Sequence, residues 1–184
     1  MRGNREYRQL TRRCRLTAGS LPLPDPFDVQ QFVQLLATAR GRPITVLPVP
    51  SRPHGPCGLL AVTDEVDYIL YTTDTSPMHQ QHILLHEIAH LLCEHHKTPA
   101  GAEGGSPEGD LFSRLPADLV RRVLGRSAYS QPQEQEAELL ASLIQCRIQQ
   151  EAARPPAPSV RHSALGTLLG SALETGRRGV RRRG

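Results

Sequence analysis

His86-Glu87-Ile88-Ala89-His90 sets two imidazoles and a carboxylate within five residues. Residues four apart on an α-helix share a face about 6 Å apart along the axis, so both rings can converge on one ion. Glu87 is rotated off that pair but stays on its flank, where a carboxylate can take a proton from water activated by the ion. Ile83, Leu84, Ile88, Leu91 and Leu92 surround these groups with apolar side chains. Polar groups in such a helix need a partner. The implied chemistry is metal-assisted hydrolysis of a peptide bond. Zn2+ suits a set of two histidines and one carboxylate, with Mn2+ the other candidate.

The third ligand has to come from another part of the chain. His82 precedes His86 by four residues on the same face, but His82 and His90 are about 12 Å apart in axial rise, too far for one ion. His82 is therefore read as a residue lining or backing the site. Glu94 also fails to complete a set with both motif histidines, and His79, His95 and His96 are expected to face solvent. The better donor lies in Ser130–Ile144, where Glu134, Ala137, Glu138, Ala141 and Ile144 share one helix face. Glu136 points roughly 160–200° away from Glu134 and Glu138, at 100° per residue. Glu134 is the expected ligand. Glu138, one turn on, is the expected acceptor for the free ring N–H of His86.

Helices and a small sheet must hold these residues. Ser76-Pro77 opens the motif helix, which is expected to run to about His95, and Ser130–Ala153 forms a long helix with Pro near its first turn. Upstream, Arg2–Leu16 can form a short helix with Tyr7, Leu10 and Cys14 on one face. Asp25-Pro26-Phe27-Asp28 reads as a helix start, Asp25 the cap and Pro26 the first helical residue; Val29, Phe32, Val33 and Leu36 follow at helical spacing up to Gly41. Ile44–Pro48, Gly58–Thr63 and Val66–Thr72 are β-rich, and Thr63-Asp64-Glu65 is short enough for a hairpin. The expected class is α+β: zincin-like helices packed with a small three-stranded antiparallel sheet. Lys97–Glu108 reads as a Gly/Pro/Ala-rich loop, Pro116–Leu124 as a short helix and Ala164–Leu173 as a weak one.

Composition bounds the remaining possibilities. The chain has 184 residues, 38% hydrophobic and 4% aromatic with no Trp, enough for one modest core. No apolar run is long enough to span a membrane, and none follows the basic N-terminus as a signal peptide would require. A soluble, cytoplasmic protein is expected, with Cys14, Cys57, Cys93 and Cys146 as reduced thiols. Residues 1–17 carry six Arg against Glu6, and residues 154–184 carry seven Arg against Glu174. Two basic ends thus flank an acidic body. The organisation expected is a basic N-terminal arm or helix over 1–20, a catalytic domain over 21–153, and a flexible Pro/Arg-rich tail over 154–184.

The chain resembles the ImmA/IrrE family of bacterial metallo-endopeptidases, gluzincin-like regulatory proteases. The residues that carry the likeness are His86–His90 with their apolar flanks, followed by Glu134-x-x-Ala137-Glu138-x-x-Ala141. Asp25–Pro48 followed by Asp67-Tyr68-Ile69-Leu70 is similar to the family's helix-then-sheet entry, and the likeness covers roughly 22–149. It implies a zinc endopeptidase with His86, His90 and Glu134 as ligands and Glu87 as general base. It also implies a helix-turn-helix transcriptional repressor as substrate, in a unit related to toxin–antitoxin pairs. A transition state needs a donor near its oxyanion, and Tyr129 is the candidate.

Two other classes of function compete. One is a metal-stabilised regulator or toxin-like component that binds a repressor or antitoxin without cutting it; Glu87 argues against this, since a structural site needs no base. The other is weak, sequence-independent nucleic-acid contact through Arg177-Arg178 and Arg181–Arg183.

Overall fold

The computed structural model describes residues 2–51, 55–97 and 129–154. The expected loop after Lys97, the helix at 116–124 and the Arg-rich tail lie outside them. The elements run α1 (Arg2–Ser20), α2 (Val29–Arg40), β1 (Ile44–Val49), β2 (Gly58–Val62), β3 (Asp67–Thr72), α3 (Pro77–Leu92), a 3-10 turn (His95–Lys97) and α4 (Gln131–Ala152). The class is α+β, four helices with a three-stranded sheet.

Local signals account for most boundaries. Ser76 caps α3 by accepting from the His79 N–H at 3.3 Å, with Pro77 at its first turn. Ser130 caps α4, its backbone N–H donating to the Gln133 side chain at 2.9 Å in a capping box. Gly41 closes α2 with φ of 67°, a left-handed conformation glycine adopts without penalty. The start of α2 differs from expectation: the cap is Asp28, not Asp25, and accepts from Gln31 N–H at 2.7 Å. Phe27, just before the cap, packs on Phe32 with ring centroids 5.9 Å apart. This hydrophobic staple sets the entry angle and moves the first turn three residues downstream.

The sheet is mixed rather than antiparallel. Its order is β1-β3-β2, with β2 antiparallel to β3 as the short link demands and β1 parallel to β3. β3 takes the centre because Ile69 and Leu70, on its opposite faces, are both buried. A strand covered on both sides reads as a continuous apolar run and leaves the half-exposed strands as edges. Asp67, fully buried at the start of β3, ties this corner together. Arg40 donates to its Oδ2 at 3.1 and 3.3 Å, and Arg42 stands 3.7 Å from Oδ1.

α3 and α4 pack against each other across a shared core. Leu85, Ile88 and Ala89 of α3 meet Ala137, Leu140, Ala141 and Ile144 of α4, all fully buried. α1 is longer than the short helix expected to Leu16 and lies on α4, burying Cys14 and Ala18 in the same core. Arg147 of α4 donates to the carbonyls of Ala18 and Leu21 at 2.8 Å, satisfying acceptors left open at the end of α1. Among the described residues, no helix is long and apolar enough to cross a membrane, and the four cysteines are free thiols.

Candidate metal centre

The i, i+4 spacing of His86 and His90 brings their Nε2 atoms to 3.0 Å from each other. Glu134, in the first turn of α4, puts Oε2 3.2 Å from His86 Nε2 and Oε1 3.6 Å from His90 Nε2. These three side chains each offer a ligand atom to a common point. A tetrahedral ion with ligands at about 2.0–2.1 Å spaces them about 3.3 Å apart, so the set matches one such ion in size and donor type. The residues could hold a metal ion.

The ring nitrogens turned away from that point are held differently. His86 Nδ1 lies 3.4 Å from Glu138 Oε2, the contact expected from the sequence, and His82 Nε2 reaches the same oxygen at 3.2 Å. Burial pushes the Glu138 carboxyl up, but the two histidines outweigh it and hold it below its ordinary value. Glu138 is 54% exposed, so this support is partly wet.

His90 is 1% exposed, and its Nδ1 meets His95 Nδ1 at 2.9 Å. His95 is not on the surface, as the sequence reading had it, but buried. Glu94 takes a left-handed φ of 56°, which ends α3 at Leu92 and folds the next residue back against the helix. His95 Nε2 then lies 3.4 Å from Glu136 Oε2. Glu136 does point away from Glu134, but toward α1 rather than solvent: its carboxylate is paired with Arg13. His96 is half-buried and His79 exposed. Burial, with His86 and His95 nearby, drives the His90 imidazole down to about 3, so the ring is neutral with a lone pair to offer. Cys93, beside Glu136, is a half-buried thiol pushed up to about 12 by burial and then by that charge.

Glu87 sits on the flank of the pair, buried against β2. Its carboxylate accepts from the Leu60 backbone N–H, while Oε2 has no hydrogen-bond partner among the described residues. Burial, reinforced by the Glu134 charge, pushes it up to about 8. The contact is possible because residue 58 is glycine: a Cβ there would stand 2.5 Å from Glu87 Oε1 and 2.7 Å from Ile83 Cγ2. Tyr129 lies flat on the His90 ring, centroids 3.7 Å apart at 15°. Beside the donors opens a cleft lined by Tyr7 and Leu10 of α1, His86, Glu134, Glu138 and Leu139.

The structure thus brings together His86, Glu87, His90, Tyr129, Glu134, Glu138 and His82. Sequence reasoning missed His95, Glu136, Gly58 and the Leu60 backbone. No periodicity links His95 to His90 once the helix has ended, and a lone glycine beginning a strand carries no chemical signature. In comparisons with known proteins, no family model, no curated protein and no solved structure matches the chain.

Proposed function

We propose that the protein is a zinc-dependent endopeptidase, and that its substrate is a helix-turn-helix transcriptional repressor, as the sequence resemblance implies. The observation that carries the catalytic part is Glu87: a buried carboxylate with an oxygen that has no hydrogen-bond partner among the described residues, next in sequence to one donor and near the charge of another. Keeping a carboxylate unsatisfied in an apolar setting costs stability, and a purely structural metal site has no use for it. A proton acceptor does.

His86, His90 and Glu134 would hold the ion, which when bound supplies Lewis acidity to water and to a peptide carbonyl. Glu87 takes a proton from the attacking water and returns it to the departing amine nitrogen. Oε2, which has no hydrogen-bond partner among the described residues, leaves a lone pair for that proton, and the charge of a bound cation would draw the carboxyl, otherwise protonated up to about 8, into its ionised form. Gly58 and the Leu60 N–H aim the carboxylate by fixing how closely β2 backs it. Glu138 orients His86 from behind, and the stacked Tyr129 ring limits rotation of His90 while its hydroxyl is the candidate donor to the oxyanion.

Elemental analysis and cleavage assays test this together. Wild-type protein should carry one zinc per chain, and the His86→Ala/His90→Ala double variant none. Glu87→Gln should keep the ion but lose about 10²–10⁴-fold in cleavage of a co-expressed repressor drawn from the neighbouring genes. Equal relief of repression by wild type and Glu87→Gln, with the repressor intact in both, would replace this reading by that of a non-catalytic regulator.

A further inference from the structure

His95 and Glu136 belong to neither role described so far, yet they form a chain that ends on a metal ligand. Arg13 of α1 pairs with Glu136, Glu136 Oε2 lies 3.4 Å from His95 Nε2, and His95 Nδ1 lies 2.9 Å from His90 Nδ1. We propose that Glu136 and His95 are positioning residues that lock His90 in the tautomer and orientation of a metal ligand. The proposal rests on the metal site of the previous section.

Counting protons gives the direction of each bond. Two ring nitrogens 2.9 Å apart can share one proton and no more. His90 turns Nε2 toward His86 and Glu134, so as a ligand it carries its ring proton on Nδ1. His90 Nδ1–H therefore donates to His95 Nδ1. A neutral His95 must then hold its own proton on Nε2, the nitrogen facing the Glu136 carboxylate. Each link has one donor and one acceptor, and the negative end is balanced by Arg13.

The same count decides a rival reading. Cys93, His95 and Glu136 also offer three ligand atoms close enough for an ion of their own. Binding it through His95 Nε2 would move the His95 proton to Nδ1 and set two N–H groups against each other at 2.9 Å. While His90 holds a metal, the second trio cannot hold another in this arrangement. Its work is to orient, and through Arg13 it makes the N-terminal helix part of the support for the metal.

Zinc itself is the probe. Affinity is measured by competition with a chromophoric chelator, stoichiometry by elemental analysis, and the His90 tautomer by 15N ring shifts of the zinc-loaded protein. Wild type should bind one zinc with His90 protonated at Nδ1. His95→Phe, which keeps a ring but removes the acceptor, should weaken zinc by about 10–100-fold, the range seen when an outer partner of a ligand is lost. His95→Gln, whose carbonyl can accept from Nδ1, should recover part of that loss, which a packing role alone would not do. Glu136→Gln should fall between wild type and His95→Phe, and Cys93→Ser should match wild type. Unchanged affinity in a folded His95→Phe would overturn the relay, as would a second zinc that Cys93→Ser removes, or a His90 proton on Nε2. A wild-type chain with no affinity for zinc would overturn the metal site and the relay with it, and so is distinguishable from failure of the relay alone.

Discussion

Asp67 and Glu87 are both buried carboxylates, one at the first residue of β3 and the other inside α3, and their surroundings are opposite. Asp67 lies between two guanidinium groups, which also join the end of α2 to the sheet. Each has one oxygen with no hydrogen-bond partner among the described residues, Oδ1 of Asp67 and Oε2 of Glu87, but Arg42 stands 3.7 Å from the first, whereas Glu87 has one backbone N–H and a nearby like charge in Glu134. The first arrangement uses its charge to hold elements together. The second has no side-chain cation facing it among the described residues, so its carboxyl keeps its proton up to about 8. A buried carboxylate is thus read by what faces it.

That contrast can be broken most directly at Asp67. Asp67→Ala leaves Arg40 and Arg42 facing a buried gap and should cost about 3–5 kcal/mol in urea unfolding. Glu87→Gln should cost nothing in the metal-free protein, or stabilise it. Comparable destabilisation by both changes would erase the distinction.

A second effect is read from pH in the presence of a chelator. Between pH 4.5 and about 8, folded Glu87 keeps a proton that the unfolded chain releases, so stability falls as pH rises through that range. Between pH 6.5 and about 3, the unfolded chain takes up a proton that folded His90 refuses, so stability falls as pH drops. The two slopes oppose each other from 4.5 to 6.5, giving a plateau with limbs on either side. The slope on each limb should approach about 1.4 kcal/mol per pH unit. Glu87→Gln should remove the alkaline limb alone. Thermal melts that keep this limb in the variant would show that another group causes it.

The smallest of these effects concerns the wall behind Glu87. Gly58→Ala must displace both Glu87 and Ile83, since its Cβ would come within 2.7 Å of each, and should cost about 1–3 kcal/mol. Cleavage should fall further than stability alone explains, because the carboxylate is re-aimed. A variant with full activity would mean that β2 does not position the base.

Much of the site was legible because its signals are local. His86, His90 and Glu87 owe their relation to one helical turn, and Glu134 and Glu138 were placed by the phase of α4 against Ala137 and Ala141. Caps at Ser76, Ser130 and Gly41 follow from which residues satisfy a helix end, and the β2–β3 hairpin from the length of its link. Asp28 was misread in favour of Asp25 because the choice between two acceptors depends on Phe27 reaching Phe32, a side-chain contact.

What the sequence determined by itself, then, is the presence and phase of the helices that carry the donors, since backbone hydrogen bonding and side-chain spacing act over a few residues. Only the tertiary structure decided that β1 runs parallel to β3, because that pairing depends on which strand the helices cover on both faces. It also decided the second tier of the site. His95 is five residues from His90 but 41 from Glu136, and Glu136 is 123 from Arg13. Groups so far apart in the chain meet only when α1, α3 and α4 pack, because burial in a common core, not local spacing, brings them within hydrogen-bonding reach.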